Sequence, residues 1–477
     1  MAIFNTQTVS TTKTINRAGG EAYKQTDQVA LTSLVLTSML KDQFYRPKEE
    51  TLVELRNLLN KNDALFCAKL AVYARKTHGL RSISHVIAAE LAPRISGETW
   101  AKKFYEEVIN RPDDMLEIVS YYKSQKDNKS LPSALKKGFR NKMSKLSAYE
   151  IAKYRGEGKQ WKMVDLTNLL HPKPTEQNME AYSALVADTL RNMDTWETKL
   201  SAAGNEENVE EAKAEAWKEL VENKTIGYFA LLRNLRNIIQ QAPTLVPAVA
   251  EMLVDEKRIR KSLVLPFRYL TAIREIESIN SSESRKIVMA LNKAVEISCV
   301  NVPTFEGKTL VVLDESGSMG SFVNPASPWS IGSVFAAVIL KTNPDADFMT
   351  FDTTARYKIF NPQDSVYTIA RNDPNGGGTD FKCMFEIINK AYDRIIVLSD
   401  MQGWVGYYTP QKEFNHYKTK YSVNTKVFSF DLTGHGTTQF SNDVFALAGF
   451  SEKTLEVMAI LEKDKNAMIN EVNQINF

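Results

Sequence analysis

The feature that most restricts what this chain can fold into is the run Leu310-Val311-Val312-Leu313-Asp314-Glu315-Ser316-Gly317-Ser318-Met319. Four consecutive apolar residues, two of them β-branched, read as a strand buried on both faces of a sheet. The strand stops at an Asp, and the Gly between two Ser lets the chain turn sharply. Asp314, Ser316 and Ser318 recur at i, i+2, i+4 and set three oxygens around one point. Such donors suit a hard divalent cation, Mg²⁺ before Ca²⁺, because Mg²⁺ takes few protein ligands and keeps several waters. The same spacing also suits a polar strand-to-helix turn whose Asp only caps the next helix.

Two later segments add donors. Gly376-Gly377-Gly378-Thr379-Asp380 is a flexible loop presenting a hydroxyl and a carboxylate, followed by a helical pattern (Phe381, Met384, Phe385, Ile388). Arg394-Ile395-Ile396-Val397-Leu398-Ser399-Asp400 is a second buried strand ending in an Asp. In an open parallel sheet, ligands bind at the carboxyl ends of strands near the point where strand order reverses. The DxSxS, Thr, Asp pattern closely resembles the metal-ion-dependent adhesion site of von Willebrand factor A-type domains. That resemblance implies a cation held by Asp314, Ser316, Ser318, Thr379 and Asp400, with one coordination place open for an acidic residue of a partner. Around it, 329–342 reads as a helix, 347–352 and 425–431 as strands, and 451–463 as the last helix. Strands alternating with helices give a doubly wound parallel sheet, a Rossmann-like α/β domain. Glu315 is expected to face solvent, and His435 has no partner at metal spacing.

At 477 residues the chain has length for two or three domains. A hydrophobic run long enough to cross a bilayer is absent, and Met1-Ala2-Ile3-Phe4 lacks the basic and apolar regions of a signal peptide. Cys67, Cys299 and Cys383 are odd in number and widely separated, which excludes a disulfide framework and zinc spacing. A cytoplasmic protein with no membrane partner is expected. The net charge of +3 is unevenly spread: from Asn301 onward 15 basic residues face 20 acidic ones, and before it 45 face 37. Such asymmetry suggests that the first part meets a polyanion.

That first part opens with a polar, turn-rich segment, 1–26, containing Asn16-Arg17-Ala18-Gly19-Gly20 and expected to lie as an arm on the first domain. From Gln28 the period becomes helical, with further amphipathic stretches at 49–60, 63–77, 81–91, 98–110 and 113–122. Serial short helices point to an all-α, HEAT-like helical-repeat solenoid, although no fixed repeat length is visible. Residues 123–162 carry 12 cations against three acids, with Tyr121, Tyr122, Phe139, Tyr149, Tyr154 and Trp161 interleaved. Lys136, Lys137, Arg140, Lys153, Arg155 and Lys159 lie in this stretch. Phosphate neutralisation with occasional base stacking is the recipe for binding RNA with little sequence preference, and a solvated helix face is the plainer alternative. His171, before Pro172, reads as a helix cap. Residues 206–211 read as an acidic, loop-like insertion. Arg233 and Arg236, one turn apart, either bond loop carbonyls or line a basic surface. A last helix at about 284–298 leads to a linker at Pro303, which sets domain boundaries of 1–302 and 303–477.

Several of these pieces resemble one module. Gly19-Gly20, Arg111-Pro112-Asp113-Asp114, Leu131-Pro132-Ser133-Ala134-Leu135-Lys136, Lys153-Tyr154-Arg155 with Trp161 and Asp165, His171-Pro172, Leu232-Arg233-Asn234-Leu235 and Leu265-Pro266-Phe267-Arg268 look like the TROVE module. Joined to an A-type domain, this is the arrangement of the Ro RNP autoantigen family and its bacterial relatives. The resemblance implies a monomeric ring of HEAT-like helices closed by the A domain. Its hole would take single-stranded 3′ ends of misfolded noncoding RNA, and its outer basic surface would hold small structured Y or Y-like RNA. By position, Lys153, Arg155, Lys159 and His171 match the outer contact segment. A role in RNA quality control or processing follows, with a protein partner such as an exoribonuclease expected at the A domain. No catalytic set is legible: Ser/His/Asp and Cys/His arrangements are absent, and the Gly-rich loop lacks the Lys-Ser/Thr ending of a P-loop. Two readings from other classes are a metal-dependent protein-interaction adaptor without RNA binding, and a Mg²⁺-dependent nuclease. The nuclease needs more converging carboxylates than Asp314, Asp380 and Asp400 supply.

Overall fold

A computed structural model describes residues 9–37, 48–125, 130–191, 195–262, 264, 266–299, 304–324, 327–405, 410–421, 424–440, 444–447, 458 and 467–477. The chain forms two compact units, Leu34–Thr198 with Met468–Phe477, and Met1–Ser33 with Lys199–Ala467. Among the described residues no helix is long and apolar enough to cross a membrane.

The first unit is helical. Its helices Lys48–Lys61, Ala64–Lys76, Ser82–Leu91, Ala101–Glu107 and Asp113–Gln125 fall where the amphipathic stretches place them. Local chemistry fixes their ends: Asp63 caps Ala64–Lys76 through a bond from the Phe66 N–H at 2.9 Å. The helices Ala64–Lys76, Ser82–Leu91 and Asp113–Gln125 pack in succession, and Asp114 pins all three. Its fully buried carboxylate accepts from Arg75 Nε at 3.0 Å, Arg81 Nε at 3.2 Å and the Asn110 and Arg111 N–H groups at 3.0 and 2.9 Å, and His85 Nε2 lies 3.0 Å away. The end of the chain returns to this unit, where Phe477 stacks on Trp100.

Among the described residues the second unit joins six α-helices, from Val209–Glu222 to Ser282–Ser298, to the sheet. Val209, Glu210 and Glu211 form the first turn of a helix rather than the end of an acidic loop, because Asn208 caps it through the Glu211 N–H. Tyr228–Gln241 buries Leu231, Leu232, Leu235, Ile238 and Ile239 at helical spacing. Glu296 and Glu277, at the ends of two further helices, accept from the Val366 N–H and the Tyr367 hydroxyl at 2.7 and 2.9 Å.

Among the described residues nine strands belong to this unit: β1 (Val9–Ile15), β2 (Glu21–Gln25), β3 (Thr309–Asp314), β4 (Asp347–Phe351), β5 (Ala355–Lys358), β6 (Arg394–Ser399), β7 (Lys426–Asp431), β8 (Thr437–Thr438) and β9 (Val444–Leu447). The main sheet runs β5-β4-β3-β6-β7-β9, parallel except for the antiparallel edge strand β5, so it is mixed rather than wholly parallel. β3 and β6, the two runs without a polar interruption, are buried along their whole length at its centre. The helix Pro328–Thr342 crosses close above them at Gly332, where a Cβ would lie 2.8 Å from Leu313 Cδ1. The helix expected at 451–463 lies outside the described residues except Met458.

One expectation is overturned. Residues 9–25 are not an arm on the first helices but a hairpin, β1-β2, that adds antiparallel to β8 in the unit that holds the main sheet, with Tyr23 opposite Thr438 and Lys24 opposite Thr437. The pairing relies on backbone bonds and on Thr-rich strands, which give no apolar alternation to read.

Candidate metal centre and basic surface

Strand order reverses between β3 and β6, and the carboxyl ends of these neighbours present Asp314 and Asp400 side by side. The Gly-rich loop is tied to the DxSxS turn by the Gly317 N–H donating to Gly377 O at 3.1 Å and the Gly376 N–H donating to Glu315 O at 3.0 Å. The loop after Asp400 is tied to it in turn, since the Trp404 and Val405 N–H groups donate to Thr379 O at 3.1 and 3.2 Å. The three segments singled out in the sequence therefore converge. Asp314, Ser316, Ser318, Thr379 and Asp400 are all buried. Ser316 Oγ and Ser318 Oγ stand 3.4 Å apart, and Asp314 accepts from the Ser316 N–H at 2.9 Å and the Ser399 hydroxyl at 2.5 Å.

Electrostatics mark the cluster as one that lacks positive charge. Burial raises Asp400 well above the ordinary carboxylate range, and neighbouring Asp314 raises it further against a bond from Ser318. Burial likewise raises Asp314. Two buried carboxylates with nearby hydroxyls fit a hard divalent cation, which would replace the protons that burial otherwise favours. Among the described residues no group of three or more His, Cys, Asp or Glu stands at metal-binding spacing. A cation here would therefore rely on the hydroxyls of Ser316, Ser318 and Thr379 beside the two carboxylates. Asp380 is turned to another task, its carboxylate accepting from the Lys382 N–H at 3.0 Å at the start of the next helix.

Glu315, expected to face solvent, is 2% exposed. Its carboxylate accepts from the Thr350 hydroxyl and the Asn375 amide, both at 3.0 Å, and from Arg356 Nη1 at 2.5 Å. Its own segment suggests exposure because its partners lie 35 to 60 positions away, across β4, β5 and the Gly-rich loop. It fastens that loop to the sheet edge. His435 is buried in the loop between β7 and β8.

The basic stretch lies in the helical unit, and its cations differ in how they are engaged. Lys136 and Lys137, on the helix Ser133–Ser144, form no ion pair among the described residues, and Lys137 is exposed. Lys153 is exposed, donates to the Tyr149 hydroxyl at 3.1 Å and lies 5.3 and 5.7 Å from the ring centroids of Tyr149 and Tyr154. Lys159 pairs with Glu117 at 2.5 Å in an exposed bridge. Arg155 is held more firmly, donating to Leu190 O at 2.8 Å and pairing with Glu157, with only 15% of its side chain exposed. Lys126 and Lys129 lie outside the described residues.

His171 caps the helix Met163–Leu170 in the left-handed conformation, φ 47°, as its position before Pro172 suggests, and its ring is exposed. Arg140 Nε donates to Leu170 O at 2.6 Å at the same helix end, where a cation is favoured. In the second unit Arg233 is exposed, and Arg236 pairs with Glu275 at 2.6 Å on the surface. Arg111, which the sequence offers only as part of a module-like piece, pairs with Asp113 and places its guanidinium 5.1 Å over the other ring that Lys153 approaches, Tyr154.

Known proteins agree with this architecture. The structure superposes on the crystal structure of Deinococcus radiodurans RO (RSR) protein with a TM-score of 0.64 at 19% identity, covering 92% of this chain and all of that one. In sequence, the chain is 26% identical over 265 residues to the RNA-binding protein RO60 of D. radiodurans, and the match covers 49% of each. It is 21% identical over 346 residues to mouse telomerase protein component 1 and 20% to the rat protein, spanning 54% of this chain but 13% of those relatives. The Ro60 vWA domain matches residues 308–461, and the TROVE domain matches residues 28–193 and 188–308. The chain belongs to the TROVE domain family, with a Ro60-type von Willebrand factor A domain following the helices.

Proposed function

We propose that this protein is an RNA-binding scaffold of a ribonucleoprotein, not an enzyme. Small structured noncoding RNA, Y or Y-like, is held on the basic surface of the helical unit, and single-stranded 3′ ends of misfolded RNA are engaged in RNA quality control or processing. The observation that carries this reading is the set of cations that form no ion pair among the described residues, Lys136, Lys137 and Lys153, of which Lys137 and Lys153 are exposed and Lys153 lies beside a half-exposed Tyr149. Exposed ammonium groups neutralise phosphates, and an exposed ring gives a base something to stack on. The family supports the reading, since a relative matched along 49% of its length is named as an RNA-binding protein. The A-type domain adds a Mg²⁺ site of Asp314, Ser316, Ser318, Thr379 and Asp400, whose open coordination place takes an acidic residue of a protein partner such as an exoribonuclease. Two carboxylates with three hydroxyls suit such binding better than two-metal phosphodiester cleavage, which needs further bridging carboxylates.

The test is isolation of the protein from its own cells, with sequencing of the RNA that accompanies it. Recovery of one or a few small structured RNAs supports the reading. Recovery of no RNA above a mock isolation, with equally poor binding of tailed structured RNA in vitro at low salt, overturns it.

A further inference from the structure

We propose that the tip of the N-terminal hairpin is part of the metal centre: Asn16 and Gly20 position the loop that presents Asp400. The proposal rests on reading the Asp314–Asp400 cluster as a divalent-cation site.

The loop 400–405 has no regular structure, and it contains a strained residue. Met401 sits at φ 58°, a left-handed conformation that is unfavourable for a residue with a side chain. Such a loop keeps its shape only if its surroundings over-determine it. On one side it is bonded to Thr379 O through Trp404 and Val405, and Gln439 Nε2 donates to Met401 O at 3.0 Å. On the other side it meets the hairpin tip. Asn16 Nδ2 donates to Gly403 O at 2.5 Å, and the Arg17 N–H donates to Gln402 Oε1 at 2.8 Å. The Gln402 N–H in turn donates to Asp400 Oδ1 at 3.1 Å, so a short chain of bonds runs from the hairpin to the carboxylate.

The tip is built for this contact. A Cβ on Gly20 would lie 2.0 Å from Gly403 O and 2.7 Å from Trp404 Cα, so any side chain there displaces the loop. Asn16 is 5% exposed and divides its work between its two ends. Oδ1 accepts from the Ala18 and Gly20 N–H groups at 3.0 and 2.9 Å and shapes the turn, while Nδ2 reaches across to Gly403. Pairing of β2 with β8 anchors the stem of the hairpin to the same domain. Asn16 and Gly20 are thus positioning residues for a site that their distance in sequence conceals.

The experiment measures Mn²⁺ binding to the full chain by loss of the free-ion paramagnetic resonance signal. Asn16→Asp keeps the acceptors that shape the turn, removes the donor to Gly403 and sets a carboxylate against that carbonyl. Gly20→Val leaves Asn16 intact and acts only through the close approach. Both are expected to bind Mn²⁺ at least tenfold more weakly than wild type, while Lys13→Ala, on the exposed stem pair with Glu21, binds normally. The two variants act by different routes, so a folding defect in one leaves the other decisive. Wild-type binding with both variants within twofold of it, or tighter, overturns the proposal and leaves the metal reading intact. Wild-type protein that binds no Mn²⁺ overturns the metal reading and the proposal with it.

Discussion

The hydroxyl of Ser399 donates to Oδ2 of Asp314 at 2.5 Å, linking the last residue of β6 to the last residue of β3. With the Ser316 N–H bonded to Oδ1, both oxygens of Asp314 are oriented before any cation arrives. That arrangement lowers the ordering a metal would otherwise have to impose, at the expense of burying like charges together.

Asp314→Asn separates these effects. In chelator the variant is expected to melt no lower than wild type, because it removes one of two carboxylates that burial disfavours. On adding Mg²⁺ the wild type rises in melting temperature and the variant does not. At a Mg²⁺ concentration about a hundredfold above the dissociation constant, the wild-type gain is about 2.7 kcal/mol. Thermal melts in chelator and in Mg²⁺ check both halves, and equal shifts in the two proteins would contradict the assignment of Asp314.

Glu315→Ala tests the clamp on the Gly-rich loop. The substitution strands the Thr350 hydroxyl and the Asn375 amide and leaves Arg356 with Asp352 as its remaining ion-pair partner. A buried donor left unsatisfied costs about 1–3 kcal/mol. The expected signature is local: amides of 375–380 exchange hydrogen faster by mass spectrometry, while peptides from the helical unit are unchanged. Unaltered exchange in that loop would remove Glu315 from the account.

How much was legible followed from where the information sits. β3 and β6 announce themselves because uninterrupted apolar runs belong inside a sheet, and the Asp residues that close or follow them, Asp314 and Asp400, mark the ligand edge. The helices of the first unit show through their period and caps. The hairpin does not, because Val9–Ile15 is mostly Ser, Thr and Lys, and its partner beyond β2 is the two-residue strand β8. Glu315 and Arg155 were opaque for one reason. Each looks like a surface charge in its own segment, and the partners that engage it, Asn375 for one and Leu190 O for the other, are brought near only by the fold.

Asp114 should govern acid stability of the helical unit. Burial pushes its carboxyl upward, but bonds from His85 and the Arg111 N–H and the charge of Arg75 outweigh it and hold Asp114 below the ordinary carboxylate range. A group depressed in this way contributes stability that is present above its unfolded value of 3.8 and is lost as pH falls through the lower folded value. Asp114→Asn leaves the buried guanidinium of Arg75, 4% exposed, without its carboxylate. A loss of about 3–5 kcal/mol is expected for breaking such a pair. Urea unfolding followed by hydrogen exchange in 64–125, at pH 7 and at pH 3, checks the size and the expected flattening of the acid response in the variant. A neutral substitution at pH 7 would show the network to be dispensable.

The choice of cations decides how RNA binding should respond to mutation. Lys159 is in an exposed pair of the kind worth about 0–1 kcal/mol, so a phosphate can take over from Glu117 at little cost. Arg155 is bonded to Leu190 O and little exposed, so its removal tests folding as much as binding. Lys136→Glu, Lys137→Glu and Lys153→Glu together therefore make the cleaner probe. With a structured RNA carrying a single-stranded 3′ tail, the triple variant should bind more weakly at every salt concentration. Its plot of log affinity against log salt should be shallower by about 2–3, since each phosphate contact contributes about 0.7–0.9 to the slope. Fluorescence anisotropy from 50 mM to 200 mM salt reads both quantities. A parallel plot, displaced but with the wild-type slope, would mean that these lysines act on the fold and meet no phosphate.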